Sequence, residues 1–195
     1  TLSCRETEGY SGTTISKIVE RGEVSRGAHV YHFPSKSALI EAAAKHLVKR
    51  VYIQLGKAFM NLPDSEDRLQ AMAISGWRTV FCAREHAVLL ELLLASRHDE
   101  ELAAVMQRLW TSGYAVIRAA AVHYFEPVDP KDNVESIIAL LQWLLRGMVL
   151  DRHLVKDPTL LEEHVVLWCD LMRTRIRARP GVNTPPPRPP EWVFQ

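Results

Sequence analysis

Four consecutive small or polar residues near the start of the chain could bring a helix backbone close to DNA. They are Ser25, Arg26, Gly27 and Ala28. A helix that opens with so little bulk can enter the major groove, where arginine can pair with phosphate or with guanine O6 and N7. Tyr31 and His32 follow where they can donate to phosphates or base edges. These residue types in this order indicate a DNA-reading helix.

Two further residues, Thr14 and Lys36, are placed to hold the DNA backbone. We expect each at the start of a helix, where free main-chain N–H groups and the helix dipole favour a phosphate. Taken alone, each histidine of the region is better explained as an exposed or core side chain, and residues 25–28 could be an ordinary helix connection. It is the joint pattern that favours DNA binding.

Two short helices must position these residues. Thr13 and Thr14 offer a hydroxyl cap for the first, and Gly22 marks its end. Ser25 caps the second, which ends near Pro34. Two short helices joined by a turn of a few residues have the spacing of a helix-turn-helix.

The segment from Gly9 to Leu47 resembles the TetR family of bacterial one-component regulators. The resemblance rests on Gly9-Tyr10, Thr13-Thr14-Ile15, Ile18, Val24 to Ala28, and His32-Phe33-Pro34-Ser35-Lys36 with Leu39 following. It implies an all-α fold: a helix-turn-helix domain at residues 1–48 with an incomplete first helix, an effector-binding and dimerisation domain at 49–179, and a Pro-rich tail at 180–195. Its implied partners are a double-stranded DNA operator, a second copy of the chain and a small effector.

The motif departs from the family pattern at two places. Glu23 stands where the family usually has glycine, and Gly22 precedes it. His29-Val30 replaces a common Leu-Tyr pair, which removes one usual phosphate contact. We therefore expect His29 to face the groove instead.

The rest of the chain also reads as helical, because apolar residues recur at helical spacing and no alternating strand pattern occurs. The expected helices are Ser35–Leu62, Asp64–Ala83, Glu85–Ser96, Asp99–Phe125, Asn133–Leu154 and Pro158–Ala178. The tail from Pro180 holds six prolines in sixteen residues and is expected to be extended and outside the fold.

The last two predicted helices are apolar on more than one side, so one partner cannot bury them. At the end of a chain, a second copy is the natural additional partner. This predicts a homodimer through a four-helix interface, the arrangement that the family resemblance also implies. The predicted interface residues are Leu140, Trp143, Leu144, Gly147, Leu150, Leu167, Trp168 and Leu171.

The resemblance also implies a small-molecule pocket in the larger domain, for which large apolar, aromatic and amide side chains are candidates. They are Phe59, Met60, Trp77, Phe81, Met106, Trp110, Tyr114 and Gln142. Side chains of this kind at helical spacing are more often plain core. A lining of this type favours a hydrophobic or aromatic effector over a sugar or a phosphate.

Composition narrows the alternatives. The chain has 195 residues, 47% hydrophobic and 24% charged, close to the average for globular proteins. Its net charge is +1, but residues 1–50 hold eight basic against five acidic side chains. Cys4, Cys82 and Cys169 form no metal or redox pair, which predicts a reducing cytoplasmic setting with no bound metal or cofactor. No apolar run is long enough to predict a membrane span.

Two rival functions remain open from the sequence. An enzyme is disfavoured, because no catalytic or phosphate-binding motif occurs and the single Glu163-His164 pair is not repeated. The second rival is a helical small-molecule-binding dimer that has lost sequence-specific DNA binding, for which Glu23 and Val30 are the best hints.

Overall fold

The computed structural model describes residues 36–60 and 67–190. The described elements are α1 Lys36–Met60, α2 Arg68–Gly76, α3 Arg84–Ala95, α4 Glu100–Tyr124, β1 Phe125–Pro127, α5 Val134–Asp151, α6 Pro158–Met172 and β2 Ile176–Ala178, with a π-helical segment Trp77–Phe81 and a 3-10 turn Ser96–His98. Over this part of the chain the predicted all-α fold class is confirmed.

The chain divides into two compact units, and the first contains the described residues 36–51 and 84–111. Its core is aliphatic, with Leu47 and Val48 of α1 buried, as are Leu92 of α3 and Leu109 of α4. The side chain of Asp99 accepts a hydrogen bond from the Leu102 amide at 3.0 Å. This contact satisfies one of the free N–H groups at the start of α4.

The second unit contains the described residues 52–60, 67–83 and 112–190. Within it α2 packs against α6, and α5 packs against α6 and the π-helical segment. Side-chain caps fix where the last two helices begin. Asn133 Oδ1 accepts from the Ser136 amide at 2.8 Å, and Asp157 Oδ1 accepts from the Thr159 amide at 2.9 Å.

β1, directly after α4, and β2, after α6, pair as a two-stranded antiparallel ribbon, with Phe125 opposite Ala178 and Pro127 opposite Ile176. The expected helix Pro158–Ala178 was therefore too long, since α6 ends at Met172. Pairing with β1 gives β2 its main-chain hydrogen bonds and buries Ile176, and these gains outweigh the helical spacing of the sequence.

The start of the Pro-rich tail lies on the second unit, whereas the sequence predicted it outside the fold. Arg68 of α2 is 1% exposed and donates from Nη1 to the Arg179 carbonyl and from Nη2 to Asn183 Oδ1, both at 3.3 Å. The Tyr124 hydroxyl donates to the Thr184 carbonyl at 3.2 Å. Long-range hydrogen bonds from a buried guanidinium thus hold the segment from Arg179 to Asn183, which its composition alone predicts to be extended and outside the fold.

Candidate functional site

The predicted DNA-contacting residues fall almost entirely outside the described part of the chain. Thr14, Ser25, Arg26, Gly27, Ala28, His29, Tyr31 and His32 lie there. Lys36 is the first residue of α1. These assignments therefore stay predictions from the sequence.

The part of α1 that belongs to the first unit, residues 36–51, forms ion pairs with other helices of that unit. Arg50 of α1 pairs with Glu85 of α3 at 2.5 Å. Glu41 Oε1 of α1 forms salt bridges with Lys45 Nζ at 2.9 Å and with Arg108 Nη2 of α4 at 3.2 Å. The hydrogen bond from Lys45 is the main cause that lowers the pKa of Glu41, and Arg108 adds to it, so this carboxylate stays ionised at neutral pH.

The predicted effector-binding residues are divided between the two units. Met106, which is buried, and Trp110, which is half-buried, belong to the first. Trp77 and Phe81, both buried, and Tyr114 and Gln142, both half-buried, belong to the second, as do Phe59 and Met60 near the end of α1.

One pocket in the second unit contains part of this set. It is a cavity of about 40 Å³ lined by Leu55, Met72, Ala73, Gly76, Phe81, Ile117, Ile138, Leu141, Gln142 and Leu145. Of the predicted residues, Phe81 and Gln142 line it. Most of its other lining residues are small or aliphatic. The one signal in the sequence for four of the lining residues, Ile138, Leu141, Gln142 and Leu145, is their i, i+3, i+4, i+7 spacing, which places them on one face of a helix.

A π-helical segment borders this cavity. It runs from Trp77 to Phe81, directly after α2, and the cavity-lining Gly76 and Phe81 flank or end it. The Cys82 amide donates to the Trp77 carbonyl at 2.9 Å, which closes the wide turn. π-Helical turns are rare and occur frequently at functional sites.

Two polar side chains, Tyr52 of α1 and Arg146 of α5, lie about one helical turn along their helices from residues that line the cavity. Tyr52 of α1 lies against Gly113 of α4 so closely that a Cβ at residue 113 would be 2.5 Å from Tyr52 Cζ. Burial raises the pKa of Tyr52 to about 12, while the positive charge of Arg146 on α5 acts the other way. Burial also lowers the pKa of Arg146, and Tyr52 partly offsets this. The three residues form what we call the polar cluster: Tyr52, Gly113 and Arg146.

The predicted interface residues lie on α5 and α6, and most of them are exposed. Trp143 is 55% exposed and Leu171 58%, and Leu140, Gly147, Leu150 and Leu167 are exposed as well. Leu144 and Trp168 are half-buried. A helix pair that leaves this many large apolar side chains in water presents a surface typical of protein contacts.

The described residues contain neither a cluster of metal ligands nor a membrane-spanning helix. Within 36–60 and 67–190, no three His, Cys, Asp or Glu side chains gather as metal ligands would. None of the helices in these ranges is long and apolar enough to cross a membrane.

Comparison with known proteins identifies the N-terminal segment. A sequence family described as bacterial regulatory proteins of the tetR family matches residues 2–43. Over 165 residues the chain is 27% identical to an uncharacterized HTH-type transcriptional regulator of Mycobacterium tuberculosis, covering 84% of each. It is 28% identical over 162 residues to the HTH-type transcriptional regulator CymR of Pseudomonas putida, covering 83% of this chain and 79% of CymR.

Solved structures share the fold. A transcriptional regulator from Rhodococcus sp. Rha1 superposes with a TM-score of 0.70 at 18% identity, over 89% of this chain and 92% of that one. A bacterial regulatory protein of the tetR family from Rhodococcus RHA1 gives 0.56 at 22% identity, over 87% and 91%. With the motif of residues 9–47 and the match over residues 2–43, these likenesses confirm the resemblance. Residues 2–43 match the TetR family, and over most of its length the chain is similar to HTH-type transcriptional regulators and shares the fold of a TetR-family structure.

Proposed function

We propose that this regulator is a ligand-responsive repressor that binds a near-palindromic operator as a homodimer and is released by a small effector with a hydrophobic or aromatic body. It performs no catalysis of its own. The observation that carries the effector part is the almost wholly apolar cavity of the second unit, in which Gln142 is the one polar side chain among the described lining residues.

Dimerisation is supported by the apolar surface of α5 and α6. Trp143 and Leu171, each more than half exposed, are the kind of residue that anchors an interface, because large apolar side chains contribute most when water is removed from them. A symmetric dimer places two recognition helices about 34 to 36 Å apart, the spacing of successive major grooves. The predicted groove residues Ser25 to His32 then meet two half-sites.

Helix α1 is the proposed link between effector and DNA. It begins at Lys36, next to the predicted DNA-binding segment, and Leu55 of the same helix lines the cavity. An effector that enlarges the cavity displaces Leu55 and tilts α1, which changes the separation of the recognition helices. Release requires that the effector bind this tilted state more tightly than the DNA-bound state.

Selection of bound sequences from a random DNA pool tests the proposal. We expect enrichment of one near-palindromic site, two chains per duplex, and affinity that falls steeply with salt because several phosphates are contacted. Failure to enrich any site, together with weak and salt-insensitive binding to random duplex, would instead support a helical sensor that has lost DNA binding.

A further inference from the structure

We propose that the effector is amphipathic and carries a carboxylate: its apolar body occupies the cavity of the second unit, and its anionic head binds the Arg146 guanidinium and the Tyr52 hydroxyl. This inference rests on the effector-binding function proposed above and assigns the chemical class of the effector.

The helix registers connect the polar cluster to the cavity. Tyr52 is three residues before the lining residue Leu55, so both lie on one face of α1. Gly113 is four residues before the lining residue Ile117 on α4, and Arg146 is four residues after the lining residue Gln142 on α5. The offset between cluster and lining residue is therefore about 4.5 Å along α1 and about 6 Å along α4 and α5, close to one helical turn on each.

The direction of the offset is consistent for the three helices. Relative to the residues that line the cavity, the polar cluster is displaced toward the N-terminus of α1 and of α4 and toward the C-terminus of α5. Tyr52 meets Gly113 directly and interacts electrostatically with Arg146, so the three offsets converge on one end of the cavity. The described lining residues are thus apolar apart from Gln142, and the polar cluster lies beyond one end of the cavity.

The chemistry of that end selects an anion. Arginine stays charged in proteins, and its planar guanidinium matches a carboxylate in geometry. Because burial raises the pKa of Tyr52 to about 12, its hydroxyl stays protonated at neutral pH and can donate a second hydrogen bond to the same head group. Both residues are half-buried, and charge-assisted hydrogen bonds become stronger as water is excluded from them.

The same composition disfavours other ligand classes. A sugar needs several hydrogen-bonding partners, whereas among the described lining residues Gln142 is the one polar side chain. A phosphate carries close to two charges, which a single guanidinium and a neutral phenol would balance poorly. A singly charged head on an apolar body fits the arrangement best.

The described cavity is the closed form of this site. Its volume of about 40 Å³ has room for a few waters, while pockets that enclose small ligands measure roughly 300 to 1,000 Å³. Met72 and Phe81 line it, and Gly76 precedes the π-helical segment, so side-chain rotation and movement of this segment can enlarge it. Effector binding is therefore coupled to a change in the helices around it.

The test uses matched pairs of probes that differ only in charge: hexanoate, octanoate, phenylacetate and 1-naphthoate against their primary amides. Binding to the full chain is measured by calorimetry for the wild type, R146M and Y52F. Arg118→Met removes an equal charge from an exposed arginine of the same unit and serves as the control. Melting temperature without probe reports whether each variant folds.

We expect at least one carboxylate to bind about tenfold or more tightly than its amide, in line with the strength of charge-assisted hydrogen bonds. R146M abolishes this preference while the amide still binds, Y52F reduces it, and the control retains it. Equal binding of acid and amide, a preference retained in folded R146M, or no carboxylate binding below 1 mM overturns the proposal. Operator affinity without probe is measured in parallel, so a failed effector assignment is distinguished from failed DNA binding.

If R146M does not fold, R146K replaces it. Lysine keeps the charge but not the planar fork, so we expect a reduced preference for the carboxylate and unchanged amide affinity. Loss of acid and amide binding together in this folded variant would indicate a structural role for Arg146 and contradict the proposed one.

Discussion

The guanidinium of Arg68 is bonded to the main-chain carbonyl of Arg179, 111 residues later in the chain, at 3.3 Å. The same side chain also stacks over the Tyr124 ring, 5.6 Å from its centroid. One buried cation thereby joins the start of α2, the end of α4 and the segment after β2. This contact helps to hold residues 179–184 against the second unit.

We expect Arg68→Ala to lower the free energy of unfolding by about 2 to 4 kcal/mol, because it removes the two hydrogen bonds that the charged guanidinium donates and leaves a cavity where a buried side chain lay. Urea titration followed by circular dichroism measures the change. The matched control is Arg78→Ala, whose guanidinium bonds Glu162 at 2.6 and 2.8 Å on the exposed surface. Exposed pairs contribute roughly 1 kcal/mol or less, so similar losses in the two variants would contradict the account.

A methyl group at residue 113 should disturb the polar cluster. Gly113→Ala places a Cβ where the Tyr52 phenol lies, and we expect a loss of about 1 to 3 kcal/mol from overpacking. Gly56→Ala, also in a helix but with nothing within 4 Å of the added Cβ, should stabilise by up to about 1 kcal/mol. Thermal unfolding compares the two, and a stable Gly113→Ala protein would show that Tyr52 packs elsewhere.

The two described cysteines should differ in reactivity. Burial raises the pKa of Cys169 to about 12, so at pH 8 only about one thiol in ten thousand is the reactive thiolate. Burial also raises the pKa of Cys82, but that residue is only half-buried. Pulsed iodoacetamide labelling read by mass spectrometry should modify Cys82 first and Cys169 only as pH approaches 12 or the chain unfolds. Early labelling of Cys169 in the folded protein would be inconsistent with its position.

A charge on the exposed face of α5 should separate the proposed dimer. Trp143→Glu puts a carboxylate into the proposed interface, and we expect the dissociation constant of the dimer to rise roughly 30-fold or more. Sedimentation velocity measures it. Val128→Glu, at an exposed apolar residue outside α5 and α6, should leave association unchanged. Equal weakening by both variants, or by neither, would argue against this interface.

Local signals in the sequence predicted the helices well. Asn133 and Asp157-Pro158 mark the starts of α5 and α6 because their side chains cap those helices, a short-range interaction that needs no tertiary partner. β2 was missed because its pairing residues Phe125 to Pro127 lie about fifty positions away, and that contact leaves no local trace. The burial of Arg68 was missed for the same reason.

The candidate site was predictable only in part. Gln142 and Phe81 were predicted from their residue types, and both line the cavity. Trp77 was predicted on the same ground as Phe81, since both are aromatic, but it is not among the lining residues. The difference is the direction in which each side chain packs, which spacing within one helix does not determine. Tyr52 and Arg146 were missed because their proximity depends on how α1 and α5 pack together.

The affinity of the selected operator for wild-type protein and for Arg26→Ala, measured by fluorescence anisotropy at fixed salt, tests the central claim most directly. Arg97→Ala, an exposed arginine in the 3-10 turn after α3, is the control. We expect Arg26→Ala to weaken binding roughly tenfold to a hundredfold, since a paired arginine contributes about 1 to 3 kcal/mol of recognition. Unchanged affinity in Arg26→Ala, or an equal loss in the control, would contradict a recognition helix at Ser25 to His32.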